Sequence, residues 1–220
     1  MEVKRREWEK RWREKAAPEF FWYSTEPPQQ LVQLLDTGAV PHGLALDIGC
    51  GNGVVAAYLA HRFELTVGVD VVFRALAEAK AYVGPDKNGP SFVQAAAPFL
   101  PIRDSSCALI FDRDCLRNIP WSAWPKYFAE ASRVLKAGGV LQILFPDRRK
   151  KPILSVKRWR AVLGRVTRRS PRSPVGLSAS IVEPFLPVGL NVSKEDRFLF
   201  RVPSGHFRPF TELVILKSAP

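Results

Sequence analysis

Leu46-Asp47-Ile48-Gly49-Cys50-Gly51-Asn52-Gly53 is the stretch that decides how this chain folds. An apolar run, Leu44–Ile48, breaks into three glycines, and Val54–Arg62 then repeats apolar residues at helical spacing. The pattern is a strand turning into a helix. Glycines at such a turn let the backbone approach a ligand closely, and the helix N-terminus leaves N–H groups free to face it. Asp70 follows Gly49 by 21 residues and ends the next apolar run, Thr66–Asp70. A carboxylate there can accept hydrogen bonds from both hydroxyls of a ribose. The loop and the acid together point to a nucleoside-containing cofactor.

Outward from this loop the same alternation continues. Helix is expected at Phe73–Val83, stopped by Gly84-Pro85, and strands at Ser91–Gln94 and Ala108–Asp112. Ser122 is expected to cap a helix with the apolar face Phe128, Ala131, Val134 and Leu135, ended by Gly138-Gly139, before a strand at Val140–Phe145. Strand, helix and strand in repetition predict an α/β parallel sheet covered on both faces. Upstream, residues 3–15 read as a charged helix, followed by the aromatic cluster Phe20-Phe21-Trp22-Tyr23 and a helix opened by Pro27-Pro28. Downstream, Arg197–Val202 and Thr211–Lys217 read as a hairpin joined through Pro203-Ser204-Gly205. The chain thus divides into an N-terminal cap (1–43), a cofactor-binding core (44–145), a basic insertion (146–190) and a terminal hairpin completing the sheet (191–220).

With 220 residues, 46% of them hydrophobic and 25% charged, the composition is that of a folded domain. The three cysteines, Cys50, Cys107 and Cys115, cannot all pair and lack a metal-ligand spacing, which fits a reducing compartment and no bound metal. No apolar run is long enough to span a membrane. The start runs into charge rather than a signal region, and Glu2, Glu7, Glu9 and Glu14 argue against a transit peptide, so the expected location is the cytoplasm. The net charge of +12 is concentrated: eleven basic residues and no acid lie between Arg148 and Val182. Val156, Trp159, Val162, Leu163 and Val166 would share one helical face there. That stretch reads as a packed helix with a solvated basic face, as a surface for RNA or DNA phosphates, or as an interfacial helix for anionic lipid or an acidic partner. It also lies where it could select an anionic substrate.

Gly51-Asn52-Gly53-Val54-Val55-Ala56 satisfies the dinucleotide pattern G-x-G-x-x-A as well. Asp47 would repel a pyrophosphate, whereas it suits a cofactor carrying an ammonium or sulfonium, so charge favours S-adenosylmethionine. Asp47 to Gly53, then Gly68-Val69-Asp70, then Glu130-Ala131-Ser132-Arg133-Val134-Leu135-Lys136-Ala137-Gly138-Gly139 closely resemble the successive motifs of class I S-adenosylmethionine-dependent methyltransferases. Phe111-Asp112-Arg113-Asp114-Cys115-Leu116 with Ile119-Pro120 is similar to the small-molecule branch that includes thiopurine and tellurite-resistance methyltransferases.

The resemblance implies a Rossmann-like, doubly wound, mostly parallel seven-stranded sheet with an antiparallel C-terminal hairpin. It implies that Gly49, Cys50, Gly51 and Gly53 line the methionine end of the cofactor, with Asp47 reaching its amino group. Asp70 and Val71 would hold the ribose, Ala96 and Ala97 would flank the adenine, and Asp112 and Arg113 would border the methyl donor. Ala96 stands where the superfamily usually carries an acid.

Transfer of a methyl group from a sulfonium is an in-line displacement from an already activated leaving group, so few catalytic side chains are needed. A thiol needs only deprotonation, while oxygen or nitrogen needs a general base. Asp112, Asp114, Cys115 and His206 are the candidates, with Trp22, Tyr23, Arg148 and His206 bordering the acceptor. Each has a plainer role available: Asp112 and Arg113 an ion pair, Trp22 and Tyr23 a staple for the N-terminal helix, His206 a surface turn. The motif of [DNS]-P-P-aromatic type is absent after the fourth strand, and Cys115 does not follow a proline, which argues against amino- and cytosine-C5 methylation of nucleic acid. The leading reading is a methyltransferase for a small-molecule acceptor with a soft nucleophile. The alternatives are an RNA or protein methyltransferase using the basic 148–172 segment, and a degenerate fold that only binds.

Overall fold

The five residues of β1 (Leu44–Ile48) form the centre around which the domain is built, because all but the first are buried and both edges are paired. In this computed structural model, residues 2–20, 22–147, 177–201 and 206–218 are described. β1 is followed by α3 (Val54–Ala60), β2 (Leu65–Asp70), α4 (Phe73–Val83), β3 (Ser91–Gln94), β4 (Cys107–Arg113), α5 (Trp124–Val134) and β5 (Leu135–Pro146). Two helices precede it, α1 (Glu2–Glu14) and α2 (Gln29–Asp36). A short helix, α6 (Ala179–Val182), then leads to β6 (Leu190–Arg201) and β7 (Phe207–Lys217).

The sheet order is β3-β2-β1-β4-β5-β7-β6. β1 to β5 are parallel, and β7 runs antiparallel to both β5 and β6. This is the expected doubly wound sheet with a terminal hairpin. Order reverses between β1 and β4, so the helices leave to opposite faces there and a crevice opens at the strand C-termini. One face buries Ile48, Ile110, Leu141 and Ile143 beneath α5; the other buries Ala45, Leu109, Phe111 and Leu144 beneath α2 and α3. α1 stands apart, packing Trp12 with Phe20, Val72 and Ala75.

Several local expectations differ from the structure. Ser122 does not cap α5: it lies in a 3-10 turn, Trp121–Ala123, and Ala123 is the N-cap with no side-chain bond. Pro125 in the first turn starts the helix instead, since its missing N–H is not needed there. Nor does Gly138-Gly139 end it. α5 stops at Val134, and Gly138, at φ +71°, bends β5 where the pairing with β4 slips from Leu135 to Val140. The terminal strands are longer than expected, with Pro209 tolerated in β7 opposite Leu199 of the edge strand β6. Glu130 and Arg133 have a structural role: Glu130 accepts the Leu100 N–H (2.7 Å), and Arg133 donates to the carbonyls of Ile102 (2.8 Å) and Leu100 (3.0 Å), tying the loop before β4 to α5.

Candidate functional site

Ile48, Asp70 and Arg113 end β1, β2 and β4 side by side at the crevice. The loop after β1 folds back on β2, because the N–H groups of Gly49 and Cys50 both donate to the Val69 carbonyl, at 2.7 and 3.0 Å. Gly51, at φ +53°, then donates its N–H to Asp70 Oδ2 (3.1 Å), while Asp70 Oδ1 accepts the Val72 N–H (2.9 Å). The carboxylate thereby clamps the glycine loop to the start of α4. Each of its oxygens keeps a further lone pair for a ribose hydroxyl. Burial pushes the Asp70 carboxyl up, and the backbone N–H bonds draw it back. Gly53, at φ +79°, lies against α4 so closely that a Cβ would sit 2.7 Å from that of Ala79.

Above the loop is a cleft open to solvent. Gly49 to Gly51 and Asp70 form its floor, Val71 and residues 95–98 one end, and Arg113, Asp114, Cys115 and Asn118 the other. Its roof comes from α1 and the aromatic segment after it. Trp12 packs with its ring tilted against Phe20 and Trp22 at centroid distances of 5.0 and 5.7 Å, and Trp22 lies 3.2 Å from where a Gly51 Cβ would be. Lys4, Arg5 and Trp8 continue this wall outward.

The acids around the cleft differ in their partners. Asp47 is buried beneath the loop with Oδ2 unpartnered, and burial raises its carboxyl to about 7 against the pull of Arg113. Arg113 lines the cleft, stacks over Phe200 (5.9 Å) and has one unpartnered nitrogen, Nη1; burial lowers its pKa. Asp112 is also raised to about 7 by burial, but its oxygens are occupied by the N–H groups of Cys115 (2.8 Å) and Leu116 (3.1 Å) and by the Tyr127 hydroxyl (2.8 Å). It does not line the cleft, so the structure makes it the anchor of the turn after β4 rather than a border of the methyl donor. Asp114 does line it, in a left-handed conformation (φ +67°), and holds Arg117 through two bonds of 2.5 and 2.6 Å. A carboxylate so paired is a poor base. Burial pushes the Cys50 and Cys115 thiols well up, which leaves them as packing residues and not nucleophiles.

Of the remaining expected residues, Gly49, Cys50, Gly51, Val71, Ala96, Ala97 and Trp22 all line the cleft. Asp47 and Gly53 lie behind it, and Tyr23 and the exposed His206 do not reach it. Arg148 and the 148–172 segment fall outside the described residues. The sequence reading placed a charged helix at residues 3–15 but did not bring α1 to the cleft. Lys4, Trp8 and Trp12, spaced four apart, form one stripe that faces the cleft, and that spacing was the available signal. It also missed Phe200, which brings the terminal hairpin to Arg113.

Residues 46–143 match the family described as a methyltransferase domain. The chain is 33% identical over 141 residues to thiocyanate methyltransferase 1 of Arabidopsis thaliana and 28% identical over 141 residues to probable thiol methyltransferase 2 of the same plant. Each alignment covers 63% of this chain and 61% of the relative, so the chain matches about three fifths of their length. Among solved structures, one describing conversion of a disulfide bond into a thioacetal group during echinomycin biosynthesis superposes with a TM-score of 0.75 at 18% identity. It covers 96% of this chain and 91% of that one, so the likeness in fold extends over nearly the whole chain. Among the described residues no group of His, Cys, Asp and Glu could hold a metal ion, and no helix is long and apolar enough to cross a membrane.

Proposed function

We propose that the chain is an S-adenosylmethionine-dependent methyltransferase acting on a small acceptor with a soft, thiol-type nucleophile. The observation that carries this is the glycine loop clamped by Asp70 beneath an open cleft at the strand ends. The residues present fit that cofactor. Asp70 offers lone pairs to the ribose, and the absence of a Cβ at Gly51 lets the Trp22 ring lie close over the loop. The unpartnered Oδ2 of Asp47 offers a negative charge to the amino group, directly or through a water. When bound, the cofactor supplies an electrophilic methyl group on a sulfonium.

The chain's own part is to position and to exclude water. Trp8, Trp12 and Trp22 cover the loop, replacing solvent with apolar surface. Asp114 is neutralised by Arg117 and Asp112 is occupied by its turn, so neither takes a proton from the acceptor. This favours a nucleophile that ionises without help, which is the chemistry of a thiol or a related soft anion. The names of the Arabidopsis relatives support the same class. Free thiols at Cys50, Cys107 and Cys115 favour a reducing compartment, the cytoplasm.

The test is calorimetric titration with S-adenosylmethionine and S-adenosylhomocysteine, followed by product formation over thiol, chalcogen and phenol acceptors. Binding in the micromolar range that is lost in Asp70→Ala and Gly51→Val is expected, with turnover on thiols. No binding, or binding without turnover on any acceptor, defeats the proposal.

A further inference from the structure

The wall of the cleft beyond Asp70 has no side chain that could accept a hydrogen bond from a purine's amino group. The strand beyond β2 is β3, with Asp70 opposite Gln94, and the base of a nucleoside whose ribose Asp70 held would lie against the chain that follows it. The chain immediately after Gln94 forms the wall: Ala95, Ala96, Ala97 and Pro98, with Val71 across from them. Their side chains carry no donor or acceptor. Much of their backbone is also committed. The Ala95 N–H donates to the Asp70 carbonyl (3.1 Å), the Ala96 carbonyl accepts the Phe99 N–H (2.7 Å), and Pro98 has no N–H. Gln94 turns outward and donates its amide to the Val71 carbonyl (3.0 Å). Asn118, the one side-chain amide among the described lining residues, donates its amide to the Asp114 carbonyl (2.7 Å) at the β4 end.

From this we infer that the donor site does not recognise the 6-position of its purine, and that Ala96 sets this indifference. The inference rests on the donor-site reading above. Binding energy at this end comes from burying the faces of the base against Val71 and the alanines, which depends on area and shape and not on the substituent at carbon 6. A carboxylate at position 96 would change that. A hydrogen bond from an exocyclic amino group to an ionised acceptor is strong enough to discriminate tenfold or more against a purine that lacks the amino group. The site as built forgoes that discrimination, so it should accept cofactor analogues altered at the 6-position.

The experiment compares S-adenosylhomocysteine with its 6-deamino (purine) analogue, which keeps every ring nitrogen and removes only the amino group. Calorimetry on the full chain should give dissociation constants within about threefold of each other. In Ala96→Asp the two should separate by about tenfold or more in favour of the amino compound. A tenfold or larger preference for S-adenosylhomocysteine in the unaltered chain would overturn the inference, as would equal binding of both compounds to a folded Ala96→Asp protein. Failure of the unaltered chain to bind S-adenosylhomocysteine at all would instead overturn the donor-site reading. The comparison in the unaltered chain stands even if the variant does not fold.

Discussion

Asp47 should make donor binding depend on pH in a range where simple nucleotide sites do not. Burial raises its carboxyl to about 7, with Arg113 opposing and Asp112 and Asp70 reinforcing the shift. An ammonium group placed beside it favours the ionised form, so binding the amino-acid end of the cofactor expels a proton from whatever fraction of Asp47 still carries one. Affinity must therefore rise with pH and level off once Asp47 is ionised in the free protein. For a carboxyl titrating at about 7, roughly one molecule in eleven is ionised at about pH 6 and ten in eleven at about pH 8. The apparent affinity should change about tenfold across that range, or about 1.4 kcal/mol. Titrations with S-adenosylhomocysteine across the range, in buffers of different ionisation heat, give both the affinity and the number of protons released. In Asp47→Asn the slope and the proton release should vanish. Asp112 titrates in the same range, but its partners are Tyr127 and two N–H groups of its own turn, which ligand binding leaves in place, so it adds no slope. An affinity independent of pH between about 6 and 8 would refute the placement of Asp47 at the ammonium.

Three further outcomes follow from the packing. Tyr127→Phe removes the hydroxyl bonded to buried Asp112 and should cost about 1–3 kcal/mol in chemical denaturation while leaving S-adenosylhomocysteine affinity within about twofold; a large affinity loss at unchanged stability would return Asp112 to the site. Gly53→Ala would place a Cβ 2.7 Å from that of Ala79 at a left-handed backbone position. It should destabilise the domain by about 2–3 kcal/mol, read as a lowered thermal midpoint. Trp22→Ala strips the ring covering Gly51 and should weaken cofactor binding about tenfold with the core intact, because Trp22 is only half-buried; an unchanged affinity would show that the roof does not touch the ligand.

The parts of the molecule legible in the sequence are those whose cause is local. The ends of β1, α4 and β3 coincide with the reading residue for residue, since an apolar run bounded by glycine or proline carries its own punctuation. Asp70 was legible for the same reason: the end of a strand fixes where its last side chain stands. The end of α5 was not. Gly138-Gly139 looks like a helix stop, but pairing of Leu135 with Cys107 draws the chain into the sheet before the glycines are reached. The choice between Asp112 and Asp114 was also hidden, because it depends on how the turn after β4 wraps around a Tyr127 hydroxyl supplied by another helix. The roof of the cleft shows the same limit. Nothing near Trp8 or Trp12 announces Gly51, and only the docking of α1 across α4 brings them to it.

The position of β7 has a consequence for how the protein is made. It is the last strand in the sequence, yet it lies inside the sheet, with β5 on one side and β6 on the other. Until residues 207–217 have left the ribosome, the apolar edge of β5 has no neighbour, although Ile143, Leu144 and Phe145 have long been synthesised. The nascent chain must carry that open edge through the whole of the basic stretch and β6, an exposure that invites pairing with other chains. Pairings between segments this far apart in sequence form slowly. Completion of the sheet is therefore a late event, and a refolding assay should find the β5–β7 ladder acquiring hydrogen-exchange protection after the β1–β2–β4 centre.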